Sequence, residues 1–60
     1  MNMSMPEDPI MLYSYINTLL RDKYPSLDEL CRSACIDEKL IRSKLGAAGF
    51  EYDSEYNRFI

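Results

Sequence analysis

The chain has 60 residues, no histidine and a formal net charge of −3. A domain this small buries only about 60% of the surface its unfolded chain exposes, which allows one core, no second domain and little room for an enclosed active site. The acidic balance argues against a general nucleic-acid binder, whose affinity comes chiefly from Lys and Arg against phosphate, and an apolar content of 47% with two glycines and three prolines argues against disorder or a linker.

Residues 1–7 read as a frayed N-terminal tail, polar apart from Met1, Met3 and Met5 and without period. They hold no basic region and no apolar core, so they do not read as a signal peptide. No stretch approaches the roughly 20 apolar residues of a membrane helix. A cytoplasmic location follows as the expectation. The Asn2-Met3-Ser4 sequon is then chance, and Cys31 and Cys35 are expected as reduced thiols.

A first helix opens at Asp8-Pro9: Asp is a favoured N-cap, and Pro fits the first helical position, where its missing N–H costs nothing. Leu12, Tyr13, Tyr15, Ile16, Leu19 and Leu20 fall on one face at helical spacing, and Ser14, Asn17, Thr18 and Arg21 fall opposite. Tyr24-Pro25 ends the helix, because the residue before proline is pushed out of the α region. Ser26-Leu27-Asp28-Glu29 is a capping box, in which Ser26 accepts from the Glu29 N–H and Glu29 reaches back. It opens a second helix of about two turns, with Leu27, Leu30, Cys31 and Ala34 on its apolar side. After a tight connection at Cys35-Ile36, Asp37 caps a third helix with Glu38 set favourably against the helix dipole. Leu40, Ile41, Leu45 and Ala48 share a face of this helix, the Lys44 stem lies among them, and Gly49 is its C-cap glycine. From Phe50 the period changes to that of a half-buried strand. Asp53 and Asn57 bracket a turn, Asn57 tolerating the left-handed conformation, and Arg58-Phe59-Ile60 returns as the partner strand. A lone hairpin is marginal in water, so Phe50, Tyr52 and Phe59 are expected to pack it on the helices.

The expected fold is therefore mainly α with a small β element: three short helices in helix-turn-helix-like order and a C-terminal two-stranded hairpin, one domain over residues 8–60. Ser26–Leu45 has the layout of a helix-turn-helix, and the hairpin after its last helix resembles the wing of a winged-helix domain. Two departures are visible: Cys35 stands where a turn glycine is usual, and no strand separates the first two helices. Four segments carry a closer resemblance. They are Asp8-Pro9-Ile10-Met11-Leu12, Asn17-Thr18-Leu19-Leu20-Arg21-Asp22, Ser26-Leu27-Asp28-Glu29-Leu30-Cys31, and Phe50-Glu51-Tyr52-Asp53 with Asn57-Arg58-Phe59. In order and spacing the chain resembles the short bacterial proteins classed as domain of unknown function 4250. That resemblance implies one complete small domain and carries over no catalytic or binding residue.

No constellation for catalysis stands out, and the chain is read as non-enzymatic. Cys31 and Cys35 lack the further ligands that structural zinc needs and the Cys-x-x-Cys spacing of redox motifs. They read as small buried residues at a helix contact. Asp28, Glu29, Asp37 and Glu38 are accounted for as caps and dipole partners. No cofactor is expected. Tyr13, Tyr15 and Tyr52 read as core rings with hydroxyls reaching water. Tyr24 and Tyr56 sit at element ends and, with Ile60 at the open hairpin edge, are the candidate protein contacts. Lys39, Arg42, Ser43 and Lys44 on the third helix, joined by Arg58 from the hairpin, are the candidate nucleic-acid contacts, opposed by Glu38, Glu51, Asp53 and Glu55. The preferred expectation is a small interaction module that binds protein or itself as a weak homodimer, with no membrane and no small-molecule substrate. The alternative is a minimal winged-helix-like nucleic-acid binder.

Overall fold

The computed structural model describes residues 6–60. Three helices, α1 (Pro9–Asp22), α2 (Leu27–Ala34) and α3 (Glu38–Ala47), precede two short antiparallel strands, β1 (Tyr52–Asp53) and β2 (Arg58–Phe59). The expected element order is observed. The tail expected over residues 1–7 lies outside the described residues up to Met5.

Each helix begins where its cap residue predicts. The Asp8 carboxylate accepts from the Met11 N–H at 3.2 Å, Ser26 Oγ from the Glu29 N–H at 3.1 Å, and Asp37 Oδ1 from the Lys39 N–H at 3.0 Å. Each cap satisfies one N–H of a helical first turn that has no partner within the helix. Only half of the capping box at α2 forms. The Glu29 carboxylate does not reach back but turns to Arg32 at 3.3 Å, a guanidinium that Asp28 also holds at 3.0 Å.

The ends of α2 and α3 follow from left-handed residues. Gly49 has φ 94°, the Gly49 N–H donates to Gly46 O at 3.0 Å, and the Phe50 N–H donates to Leu45 O at 2.9 Å. This is the paired closure that a glycine after a helix permits. Cys35 does the same work after α2 at φ 57°, with the Ile36 N–H bonded to Cys31 O at 2.9 Å. A non-glycine residue accepts a steric penalty there, and the side chain points away from the core. Cys35 is thus exposed, not buried as expected, while Cys31 is buried.

One core joins all the elements. Leu12, Ile16 and Leu20 of α1, Leu27, Leu30 and Cys31 of α2, Ile41 and Leu45 of α3, and Phe59 of β2 are buried together. Burying each of the large side chains contributes roughly 1.5–3 kcal/mol before entropy is counted. Tyr13 stacks on Phe50 with ring centroids 4.1 Å apart, which fastens the chain after α3 to α1. Tyr52 and Phe59 face each other across the hairpin at 5.5 Å, a cross-strand aromatic pair. The expected apolar face of α3 is narrower than its spacing suggests: Ile41 and Leu45 are buried, but Leu40 is 44% exposed and Ala48 is exposed.

Candidate interaction surface

Two asparagines dock the hairpin. Asn17 belongs by spacing to the outer face of α1 but is half-buried. Its Oδ1 accepts from the Phe59 N–H at 2.7 Å and its Nδ2 donates to Phe59 O at 3.1 Å. The carboxamide thereby pairs with β2 as a neighbouring strand would. Asn57, left-handed at φ 54°, turns its side chain inward. Its Nδ2 donates to Leu20 O at 3.1 Å and Tyr24 O at 3.0 Å, two carbonyls at the end of α1. Its Oδ1 accepts from the Tyr52 hydroxyl at 2.6 Å, and that hydroxyl accepts from the Leu27 N–H at 3.2 Å at the start of α2. One chain of hydrogen bonds thus ties the end of α1, the start of α2 and the hairpin. Among the described residues no buried side-chain nitrogen or oxygen lacks a partner. The signal for Asn17 was its position: four residues after Tyr13 and three before Leu20, it lies on the flank of the apolar arc.

Docking the hairpin on α1 opens a shallow groove between them, of about 840 Å³, lined by Ser14, Asn17, Thr18 and Arg21 on one side and Tyr56, Asn57 and Arg58 on the other. Tyr56 is 70% exposed. Asp53 shapes the turn beneath it, its Oδ1 accepting from the Glu55 N–H at 2.9 Å and the Tyr56 N–H at 3.4 Å, as an Asx-turn does. Leu20 also lines it, and on the α1 wall the Thr18 hydroxyl donates to Ser14 O at 2.9 Å.

The sequence-derived candidates separate in space. Lys39 and Ser43 are exposed on α3, and Lys44 is half-buried. Arg42 is held: its Nε donates to Glu38 Oε2 at 2.8 Å, and its guanidinium carbon lies 5.5 Å from the centroid of the Tyr52 ring. Arg58 does not extend this set. It lines the α1 groove with Arg21, whereas the depression bordered by Arg42 is lined by Gly46, Phe50, Glu51, Tyr52 and Phe59. The two strand neighbours Arg58 and Phe59 point to opposite faces, as β geometry requires. Among the candidate protein contacts, Tyr56 and Ile60 are exposed, Ile60 by 53%. Tyr24 is not: it packs half-buried against the core, because the network through Asn57 draws its backbone inward.

Charge is distributed unevenly over the arginines. Arg21 is held by Asp22, Arg32 by Asp28 and Glu29, and Arg42 by Glu38. Arg58 makes no ion pair with the described residues. The Arg21–Asp22 fork lowers the pKa of the carboxyl, first through the hydrogen bond and then through charge. Burial raises the Cys31 thiol pKa, and the negative charges of Glu38, Asp28 and Asp37 add to the rise against Arg42. Cys31 therefore stays a thiol and behaves as a small apolar side chain. No three-residue group of Cys, Asp and Glu suited to a metal occurs among the described residues, and no helix among them is long and apolar enough to cross a membrane.

A family described as a domain of unknown function, DUF4250, matches residues 6–59. The chain belongs to the DUF4250 family. The match covers α1 through β2, so the helices, the hairpin and the two docking asparagines together are the DUF4250 unit. Comparison with curated proteins and with solved structures returned no match.

Proposed function

We propose that this DUF4250 chain is a non-catalytic, cytoplasmic protein-interaction module that binds its partner in the groove between α1 and the hairpin tip. The observation that supports this reading is the placement of Tyr56 on the turn and Arg58 at the start of β2 along one groove: Tyr56 is 70% exposed, Arg58 has no ion pair with the described residues, and both line the same groove. Tyrosine and arginine are the residue types that, with tryptophan, carry most binding energy at protein interfaces. The Asn57 and Asn17 bonds hold the turn in place beneath them, so little conformational freedom is lost when a partner docks.

The test is a photo-crosslinking amino acid in place of Tyr56 in the full chain, compared with the same group at Lys39. A protein contact predicts discrete adducts from position 56 and few from position 39. Nucleic-acid adducts from position 39, with none from position 56, would favour the winged-helix-like reading in which Lys39, Ser43 and Lys44 approach a phosphate backbone. Self-association at the hairpin edge, through Ile60, is read separately by sedimentation at high concentration.

A further inference from the structure

One helical turn before the groove lies a second exposed feature. On α1, Ile10 and Met11 lie one turn before Ser14, on the same outer side as Thr18 and Arg21. These two apolar side chains are 60% and 61% exposed. The outer side of α1 is therefore graded. It is apolar at its N-terminal end, hydroxyl-bearing at Ser14 and Thr18, and cationic at its C-terminal end, where Arg21 lines the same groove as Arg58 and Tyr56. From Ile10 to Arg21 the helix rises about 16 Å, the length of roughly five residues of extended chain.

We infer that this strip takes a short extended segment of another protein, with acidic residues over Arg21 and Arg58 and an apolar residue over Ile10 and Met11. The inference rests on the interaction reading above and names the chemistry of the partner. Charge complementarity carries it. Arg58 has no carboxylate of its own among the described residues. Among the same residues Arg21 is held only by its sequence neighbour Asp22, at 2.9 Å, with both side chains more than half exposed. An exposed pair of this kind is worth little, so Arg21 can exchange Asp22 for a ligand carboxylate. A guanidinium meets a carboxylate through two parallel hydrogen bonds, and the Ser14 hydroxyl on the groove wall offers a further donor to a peptide. The apolar end selects against nucleic acid, because Ile10 and Met11 give a phosphodiester backbone nothing to bind.

The test is a resonance titration of the full chain with an end-capped hexapeptide of one leucine, two glycines and three glutamates, supplied in both orders. A peptide with lysine in place of glutamate and a thymidine hexanucleotide serve as controls. The expected result is saturable shifts confined to Ile10, Met11, Ser14, Thr18, Arg21, Tyr56 and Arg58, with one peptide order binding more tightly. Arg58→Glu should weaken binding at least five-fold and Met11→Ser about two-fold, both with unchanged far-field resonances that report an intact fold. Equal shifts from the lysine peptide, stronger shifts from the oligonucleotide, shifts centred on Lys39 to Lys44, or no saturable shift at millimolar peptide would each overturn the inference. If Arg58→Glu leaves the crosslinks from position 56 unchanged, the acidic-segment inference fails while the interaction reading stands. If position 56 yields no protein adduct, both fail.

Discussion

Asn17 holds Phe59 by both backbone groups of that residue, accepting from its N–H at 2.7 Å and donating to its carbonyl at 3.1 Å. A side chain on a helix thereby supplies the third partner that a two-stranded hairpin lacks. The buried Phe59 ring is the hairpin's main anchor in the core, so this pair of bonds sets the angle at which the anchor enters.

Asn17→Ala removes both bonds and strands two backbone groups in a half-buried place. Each lost bond costs about 1 kcal/mol net, and stranded groups cost more. The expected loss is about 2–3 kcal/mol in urea denaturation. For a domain this size that lowers Tm by roughly 10 °C or more. Asn17→Asp should be nearly as damaging, since a carboxylate cannot donate to Phe59 O. Near-wild-type stability of either variant would show that the ring alone positions the hairpin.

The Tyr52 hydroxyl relays between the Leu27 N–H and Asn57 Oδ1. Tyr52→Phe keeps the ring and its contact with Phe59, and is expected to cost about 1–2 kcal/mol. Asn57→Gly keeps the left-handed backbone but loses all three side-chain bonds, and should cost at least as much. The double variant should cost less than the sum, because both changes break one shared bond. Strict additivity by equilibrium unfolding would contradict the network.

Cys35 occupies φ 57°, where glycine has no steric penalty. Cys35→Gly relieves a strain of about 1–2 kcal/mol and gives back part of it through a freer unfolded chain. A net gain of about 0.5 kcal/mol is expected. Gly49→Ala, at φ 94°, should cost about 1 kcal/mol for the mirrored reason. Cβ has open space there, so the cost comes from the backbone alone. Thermal unfolding of both variants checks the pair of signs.

The two thiols should react differently. Cys35 is exposed and Cys31 buried, and burial raises the Cys31 pKa, so a thiol reagent at neutral pH should modify one site quickly and the second only on unfolding. The rise also fixes a sign. The unfolded chain releases the Cys31 proton near pH 8.5, before the folded protein does. The folded state is then favoured fully below that pH and loses this contribution as pH climbs towards the folded-state value. Cys31→Ala should flatten the alkaline limb of the stability profile. Rapid modification of both cysteines in the native protein would refute the assignment.

Much of the fold was legible because it rests on local chemistry. Asp8, Ser26 and Asp37 mark helix starts through bonds that span two or three residues, and Gly49 marks an end through its own backbone. The candidate surface was only partly legible. Tyr56 can be picked as an exposed residue at an element end, but Arg58, on the partner strand, groups by sequence with the contacts of the third helix, since nothing local says which helix a hairpin leans on. The outer face of α1, with Ser14, Thr18 and Arg21, read as plain solvated surface until the hairpin was docked beside it.

The sequence by itself determined the number and order of the elements, their caps, and most of the residues that form the core, Cys35, Leu40 and Ala48 excepted, because apolar period and capping act within a few residues along the chain. The tertiary structure decided which polar residues are structural and which are displayed. Asn17 and Asn57 reach backbone groups 42 and 37 residues away, and such bonds form only once the helices and hairpin have packed. The same packing sets Arg42 over Tyr52 and leaves Arg58 facing α1, so the surface available to a partner follows from how the hairpin lies on the first helix.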